Sequence, residues 1–195
     1  MITARRFSLV LVALLAMVGC SQSQQSWHGK NITGLMPALA FSLQDAQGPV
    51  TADKWKGKIR LVYFGYTHCP DICPTTLATL AHALKKLTPE QADKVRVLFV
   101  SVDPKRDSPA QLQQYSAAFG PQFVGLTGSE DALHALTKRY RVSFNYGDPD
   151  DKGNYEVFHS SAIYAFDGTG NVRLLIRDTD GADAIAEDLR RLVEE

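Results

Sequence analysis

The reactive chemistry of this sequence is concentrated in two cysteines, Cys69 and Cys73, in the segment HCPDIC. A spacing of four residues at the start of a helix places both sulfurs on one face, with the β-carbons about 5–6 Å apart. Such a pair can close a disulfide, exchange disulfides with another protein, or bind a metal ion as thiolates. A disulfide across so short a loop removes little chain entropy and stabilises weakly, so the spacing favours a functional role. A helix amino terminus is expected to lower the pKa of both thiols below about 8.5.

A metal site needs at least one more ligand beside the two sulfurs. Soft thiolates favour Cu(I) or zinc, and a mixture of thiolate and imidazole suits copper in either oxidation state. The chain has five histidines, His28, His68, His82, His134 and His159. The first lies in a polar N-terminal segment, the third and fourth fall inside amphipathic helices, and His68 points away from its neighbour Cys69. His159 is at the entrance to a strand in EVFHSSAIYAFD, and it is the best candidate for the third ligand. An ordinary strand histidine is the alternative at that position.

The predicted elements alternate between strands and helices and place the cysteines at the end of a strand. Apolar runs predict strands at residues 57–66, 95–103 and 123–128, and periodicity with caps predicts helices at residues 74–87, 107–119, 129–140 and from about Gly181 onward. The turn-rich stretch 145–155 predicts a hairpin or a mobile loop, and residues 160–176 predict a hairpin that turns at DGTGN. This order is typical of an α/β sandwich with a central mixed sheet flanked by helices. Ligands collect at the carboxyl ends of the strands in such sheets, which is where the cysteines lie.

Length and charge restrict the class of protein. A chain of 195 residues with 45% hydrophobic residues supports one good-sized domain. Lys plus Arg and Asp plus Glu number 21 each, so no basic excess indicates nucleic-acid binding. Nothing in this balance indicates an oligomer, and we expect a monomer that does not bind nucleic acid.

The first twenty residues form a separate segment. Arg5 and Arg6 precede an apolar run at residues 7–18, and Gly19 and Cys20 follow it. The run is too short for an ordinary membrane-spanning helix and is typical of a secretory signal. The ending MVGC resembles a bacterial lipoprotein signal, which implies that Cys20 is lipidated. We therefore expect a signal peptide at 1–19, a lipidated Cys20 and polar tether at 20–34, and a folded domain at 35–195. Cys69 and Cys73 are then the only cysteines of that domain.

Three longer motifs make the domain recognisable. FGYTHCPDICPTTL, SVDPKRDSP and FHSSAIYAFD, in this order and at these separations, resemble the Sco/SenC family. The resemblance covers roughly residues 35–195. It implies a thioredoxin-like fold and a role in copper delivery to cytochrome c oxidase.

The resemblance also implies the site residues. Cys69, Cys73 and His159 would hold one copper per monomer, as Cu(I) or Cu(II), and Asp71 and Asp103 would orient ligands or meet a partner. The partner would be the copper-bearing subunit of cytochrome c oxidase or another periplasmic copper carrier. The lipid anchor would place the domain on the periplasmic face of the bacterial cell membrane.

Two other functions stay open beside the leading one, a metallochaperone that is not an enzyme. A thiol–disulfide reductase would use Cys69 and Cys73 as its catalytic redox pair and would not need His159. A copper or redox sensor would use the same residues to change a contact with a partner. Thioredoxin-like oxidoreductases carry a proline just before the strand that faces their cysteines, and residues 159–161 are His-Ser-Ser. This difference favours metal binding.

Overall fold

The computed structural model describes residues 26–195. The predicted signal peptide and Cys20 lie outside these residues. Within the part of the chain that is described, no helix combines the length and the apolar character needed to cross a bilayer.

The described chain alternates short strands with helices. Its strands are β1 (Lys30–Asn31), β2 (Ser42–Asp45), β3 (Gly48–Thr51), β4 (Ile59–Gly65), β5 (Val95–Ser101), β6 (Phe123–Leu126), β7 (Phe144–Tyr146), β8 (Val157–His159), β9 (Ile163–Phe166) and β10 (Val172–Ile176). Its helices are α1 (Ile72–Lys85), α2 (Pro89–Asp93), α3 (Pro109–Ala117), α4 (Glu130–Arg139) and α5 (Ala182–Glu194), with a 3-10 turn at Ala52–Trp55.

A six-stranded mixed sheet forms the centre of the domain, with strand order β1-β10-β9-β4-β5-β6. β4, β5 and β6 are parallel, while β9 runs antiparallel to β4 and β10 antiparallel to β9. Every residue of β4 is buried, Arg60 included, as its largely apolar sequence predicts for a strand covered on both faces. The register pairs Gly65 with Ser101, so the carboxyl ends of β4 and β5 lie side by side. The predicted α/β sandwich with a mixed sheet is confirmed.

The helices follow the predicted caps and apolar spacing closely. Ser108 and Gln111 form the expected capping box at the start of α3, and their side chains each bond the other's backbone. The predicted apolar face of α5, made of Ile185, Leu189 and Leu192, is buried. α1 and α5 pack against each other.

α1 begins at Ile72, two residues earlier than predicted, so Cys73 lies in its first turn. The prediction began this helix at Pro74, since proline is common at a first helical position. The first four N–H groups of a helix have no intrahelical acceptor, so the missing N–H of Pro74 costs nothing at the third position either.

The folded part of the chain extends before the predicted boundary at residue 35. β1 pairs antiparallel with β10, and Ile32 is buried. The backbone N–H groups of His28 and Gly29 donate to the carboxylate of Asp188 on α5, at 3.1 and 2.8 Å. The C-terminal part of the predicted tether is thus part of the fold. The β2–β3 hairpin, the 3-10 turn and α2 were not predicted either, because their short polar sequences carry little periodicity.

Candidate metal centre

The loop that carries the cysteines is fixed to the end of β5 by a buried carboxylate. Asp107 is fully buried, and it accepts hydrogen bonds from the backbone N–H and the hydroxyl of Thr67, at 2.9 and 2.6 Å. The hydroxyl of Ser101, the last residue of β5, donates to the same carboxylate at 2.6 Å. Hydrogen bonds to a charged acceptor are among the stronger ones in proteins, so Asp107 holds the start of the cysteine loop against the sheet.

The two cysteines lie at the amino terminus of α1 as free thiols. Cys73 is fully buried and Cys69 is 9% exposed. The backbone N–H of Cys73 donates to the sulfur of Cys69 at 3.4 Å, so one of the open donors of the helix start points at that sulfur. Cys73 lies in the first turn of α1, as expected, whereas Cys69 lies three residues before its first residue, Ile72.

Gly65 provides the space that the Cys73 sulfur occupies. A β-carbon on this residue would lie 2.8 Å from the Cys73 Sγ and 2.7 Å from the ring of Phe99. Both distances are too short for any side chain. The last residue of β4 therefore has to be glycine for the sulfur to pack against the sheet.

His159, the last residue of β8, brings its imidazole to the cysteines from the other side. Its Nε2 is 3.3 Å from the Cys73 Sγ, and its Nδ1 is 3.0 Å from the carbonyl oxygen of Ser160. A carbonyl oxygen can only accept, so the proton resides on Nδ1 and Nε2 keeps its lone pair toward the sulfur. The rings of Tyr63 and Tyr66 contact the imidazole edge-on, with centroids 6.2 and 6.0 Å away. The imidazole is held as a metal-binding histidine usually is, with its second nitrogen hydrogen-bonded.

The three potential ligand atoms of Cys69, Cys73 and His159 all lie within 4.8 Å of one another. Two metal–sulfur bonds of about 2.3 Å each can join atoms up to roughly 4.6 Å apart. A small contraction of the widest pair would therefore let all three atoms reach one ion. A set of two thiolates and one imidazole suits soft or borderline metals such as copper.

Burial decides the protonation of the site. It raises the pKa of the Cys73 thiol to about 12, outweighing the hydrogen bond from the Tyr66 backbone, which favours the thiolate. The expectation that the helix terminus lowers the pKa of this thiol is wrong, because desolvation of a fully buried thiolate raises the pKa more than the helix start lowers it. Burial also lowers the pKa of His159, so the imidazole is neutral at pH 7. Without metal, the Cys73 thiol keeps its proton and donates it toward Nε2.

The hairpin of β7 and β8, which carries His159, is tied to the loop after β5 by three residues. Asp103 is fully buried, and it accepts from the Tyr155 hydroxyl at 2.7 Å and from Arg106 Nε at 2.5 Å. The Arg106 guanidinium also stacks over the Tyr155 ring at 3.7 Å. In addition, the hydroxyl of Tyr146 donates to the Val102 carbonyl at 2.7 Å. We call Asp103, Arg106 and Tyr155 the hairpin clasp.

The other predicted residues lie near the site but do not join the ligand group. Asp71 is exposed, and its carboxylate accepts only a long hydrogen bond from Thr75, at 3.4 Å. Asp103 reaches the site only through the hairpin clasp. The side chain of His68 is about half exposed and lies 3.5 Å from Asp107. The remaining histidines are surface residues outside the group: His28 pairs with Glu187, His134 stacks on Phe144, and His82 is exposed.

A cleft of about 330 Å³ opens beside the ligands, lined by Tyr66, residues 69–72 and residues 156–159. We call it the cysteine cleft. It is the route along which a metal or a partner can approach Cys69, since Cys73 has no exposed surface.

Gly65, Asp107, Arg106 and Tyr155 support the site but were not singled out from the sequence. Three of them lie inside or beside the motifs that identified the domain, in FGYTHCPDIC and SVDPKRDSP. Asp107, four positions after Asp103, could have been identified from the sequence. When two aspartates follow a buried strand, one of them is well placed to accept hydrogen bonds from the adjacent loop. Tyr155 carried no such signal.

Comparison with known proteins supports the resemblance found in the motifs. The SCO1/SenC family model matches residues 36–194. The SCO2-like protein RC0895 of Rickettsia conorii is 41% identical over 133 residues, which cover 67% of this chain and 64% of that protein. The chain thus spans less than two thirds of the length of this relative, and the same share of a second one from Rickettsia felis.

Solved structures of similar proteins agree with the fold. ScoI of Bradyrhizobium japonicum, determined with copper bound, is 36% identical and superposes with a TM-score of 0.72 over 80% of this chain and 98% of that one. BsSco, in which a disulfide switch was identified, is described as a member of the Sco family of cytochrome c oxidase assembly proteins; it is 26% identical, with a TM-score of 0.64 over 87% of this chain and 98% of its own. The expected thioredoxin-like α/β fold is confirmed. The chain belongs to the SCO1/SenC family.

Proposed function

We propose that this protein is a copper metallochaperone that holds one copper ion through Cys69, Cys73 and His159. The observation that carries the proposal is the convergence of two thiols and one imidazole nitrogen within 4.8 Å, with the imidazole already in its metal-binding tautomer. The copper found in Bradyrhizobium japonicum ScoI supports this assignment. Asp103 would act at a distance, by keeping the hairpin of β7 and β8 in place, and Asp71 would act at the rim of the cysteine cleft.

The donor set accommodates both oxidation states of copper. Two thiolates and a neutral imidazole leave a Cu(I) complex with one negative charge and a Cu(II) complex neutral. Each thiol loses its proton when copper binds. A buried site favours the copper complex, which carries one negative charge or none, over two thiolates without a metal ion. The site can therefore hold copper tightly and still release it to a competing pair of thiolates.

The family membership of the chain supports a proposal for the destination of the copper. BsSco belongs to the Sco family of cytochrome c oxidase assembly proteins, and we propose the copper-bearing subunit of that oxidase, or another periplasmic copper carrier, as the acceptor. We further propose that Cys20 is lipidated and anchors the domain on the periplasmic face of the bacterial cell membrane. Multiple acyl chains at about 0.8 kcal/mol per buried methylene would make that anchor stable.

A competition titration tests the copper site. The reduced protein is titrated anaerobically with Cu(I) against a chelator, and then with Cu(II), for wild type, His159→Ala and the control His82→Ala. His82 is an exposed histidine on α1 outside the site. Wild type and the control should bind one copper alike, and His159→Ala should bind at least about tenfold more weakly. Equal binding by all three proteins would show that His159 is not a ligand.

A thiol–disulfide reductase is the second candidate, and the two free thiols at the cysteine cleft favour it. The more exposed Cys69 would attack a partner disulfide and Cys73 would resolve the mixed disulfide, since Cys73 itself is inaccessible. This activity needs both cysteines but not His159. If His159→Ala still reduces disulfides fully and copper binding does not depend on His159, the reductase becomes the leading candidate function.

A further inference from the structure

The surface around the cysteine cleft combines exposed apolar side chains with acidic ones. We propose that this surface docks a copper-exchange partner that presents two cysteines on an apolar face flanked by lysine or arginine. The inference rests on the proposed copper site and adds the chemistry of the partner to it.

Two large apolar side chains at the cleft lie in solvent. Phe158 is 59% exposed and Ile72 is 43% exposed, although each is next in sequence to a proposed ligand. Two large apolar side chains exposed at one cleft, with polar residues at its edge, are typical of an interaction surface. Phe158 and Ile72 stand on opposite sides of the cleft, on β8 and on α1, so a single partner could cover both.

The charged side chains that line the cleft are both acidic. Asp71 lies on the helix side and Glu156 on the hairpin side, and both are exposed. Three further exposed aspartates, Asp148, Asp150 and Asp151, follow in the turn between β7 and β8, where Lys152 is the one basic residue. A partner with flanking positive charge would be attracted to this rim, and one with flanking negative charge would be repelled.

Copper exchange requires close docking at this cleft. Cys73 has no exposed surface and His159 is largely covered, so an incoming ligand can reach copper only from the side of Cys69. In the exchange, two Cu–S bonds and one Cu–N bond to this chain break and two Cu–S bonds to the partner form. The partner's two thiol protons pass to Cys69 and Cys73, and copper stays Cu(I) throughout. An apolar interface would keep water and dissolved oxygen away from Cu(I) during the step.

Two synthetic peptides test the proposal on the full chain loaded with Cu(I). Both carry a C-x-x-x-C pair in the same apolar segment, one flanked by lysines and the other by glutamates. Transfer is followed by mass spectrometry of the peptide after rapid separation, at low and high salt. We expect the lysine peptide to accept copper at least about tenfold faster, with the difference shrinking as salt screens the rim.

Four variants test whether residues of the cysteine cleft determine the rate of copper transfer and the difference between the two peptides. Phe158→Ser should slow transfer to the lysine peptide about tenfold, whereas Leu35→Ser, which changes a 60% exposed apolar residue outside the cleft, should not. Glu156→Lys should narrow the difference between the two peptides, and Asp53→Lys, at an exposed position outside the cleft, should leave it unchanged. Affinity for Cu(I) is measured for each variant.

The outcomes separate the two proposals. Normal copper binding with equal transfer to both peptides, or with Phe158→Ser as fast as Leu35→Ser, would overturn the docking surface alone. Failure of wild type to bind copper would overturn the proposed function and this inference with it.

Discussion

Each of the three potential ligand atoms is positioned by one neighbouring group. Gly65 leaves room for the Cys73 sulfur, the Ser160 carbonyl holds the proton on Nδ1 of His159, and the backbone N–H of Cys73 points at Cys69. None of these contributions comes from an unusual side chain. The site depends on small distances, so a single methyl group in the wrong place should disturb it.

Gly65→Ala should weaken copper binding at least about tenfold and lower the free energy of unfolding by about 1–3 kcal/mol, since the added methyl would overlap the Cys73 sulfur and the Phe99 ring. Chelator competition measures the first effect and urea denaturation the second. Gly147→Ala is the matched control, because its β-carbon would make only ordinary contacts at 3.5 Å. If Gly65→Ala binds copper like Gly147→Ala, the sulfur does not need this space.

At the scale of elements, the site joins two parts of the chain that do not share a strand pair with each other. The cysteines belong to the β4–α1 connection, and His159 belongs to the β7–β8 hairpin, which is a two-stranded sheet of its own. The hairpin clasp supplies much of the connection between this hairpin and the central sheet. Burial and the Asp103 carboxylate raise the pKa of Tyr155, so its hydroxyl keeps the proton that it donates to Asp103.

Tyr155→Phe should let the hairpin open more often, because a hydrogen bond to a buried carboxylate contributes about 1.5–3 kcal/mol. We expect amide hydrogen exchange at residues 144–159 to accelerate at least about tenfold in the protein without copper. Copper affinity should fall in parallel if His159 is a ligand as proposed. Tyr115→Phe is the control, since the Tyr115 hydroxyl is buried without a hydrogen-bond partner. Unchanged exchange in the hairpin of Tyr155→Phe would mean that the clasp does not hold it.

For the whole molecule, the segment before residue 35 closes the fold on the side of α5. Asp188 is 1% exposed, and its charge is satisfied by the two backbone donors at residues 28 and 29. The Trp27 ring lies 3.9 Å from the guanidinium of Arg191 on the same helix. Removal of this segment would take away both donors to Asp188 together with the buried side chain of Ile32.

A chain that begins at Leu35 should therefore be less stable than one that begins at Ser26, by about 3–5 kcal/mol, because it loses the burial of Ile32 and two hydrogen bonds to a carboxylate. Denaturant unfolding of the two shortened proteins measures the difference. Asp188→Asn in the longer chain should cause only part of that loss, because β1 and Trp27 stay in place. Identical unfolding midpoints would mean that residues 26–34 act as a tether after all.

The sequence by itself determined the main strands and helices and the candidate ligands. The apolar run of β4, the capping box of α3 and the apolar face of α5 are local signals, set by backbone propensity and side-chain period within about a dozen residues. The two cysteines were conspicuous from their spacing alone. His159 stood out among five histidines mainly through the family resemblance.

The tertiary structure decided what depends on distant parts of the chain. Cys73 and His159 are 86 residues apart, and their contact follows from the pairing of β4 with β9 and from the hairpin clasp, neither of which local periodicity specifies. The protonation of Cys73 was expected in the wrong direction, because burial sums over all surrounding elements while the helix start is a local feature. The entry of residues 26–34 into the fold likewise depended on a carboxylate on the last helix, about 160 residues further along the chain. Local signals depend on neighbouring residues. Contacts between distant parts of the chain, and the desolvation of buried groups, arise only when the whole chain has folded.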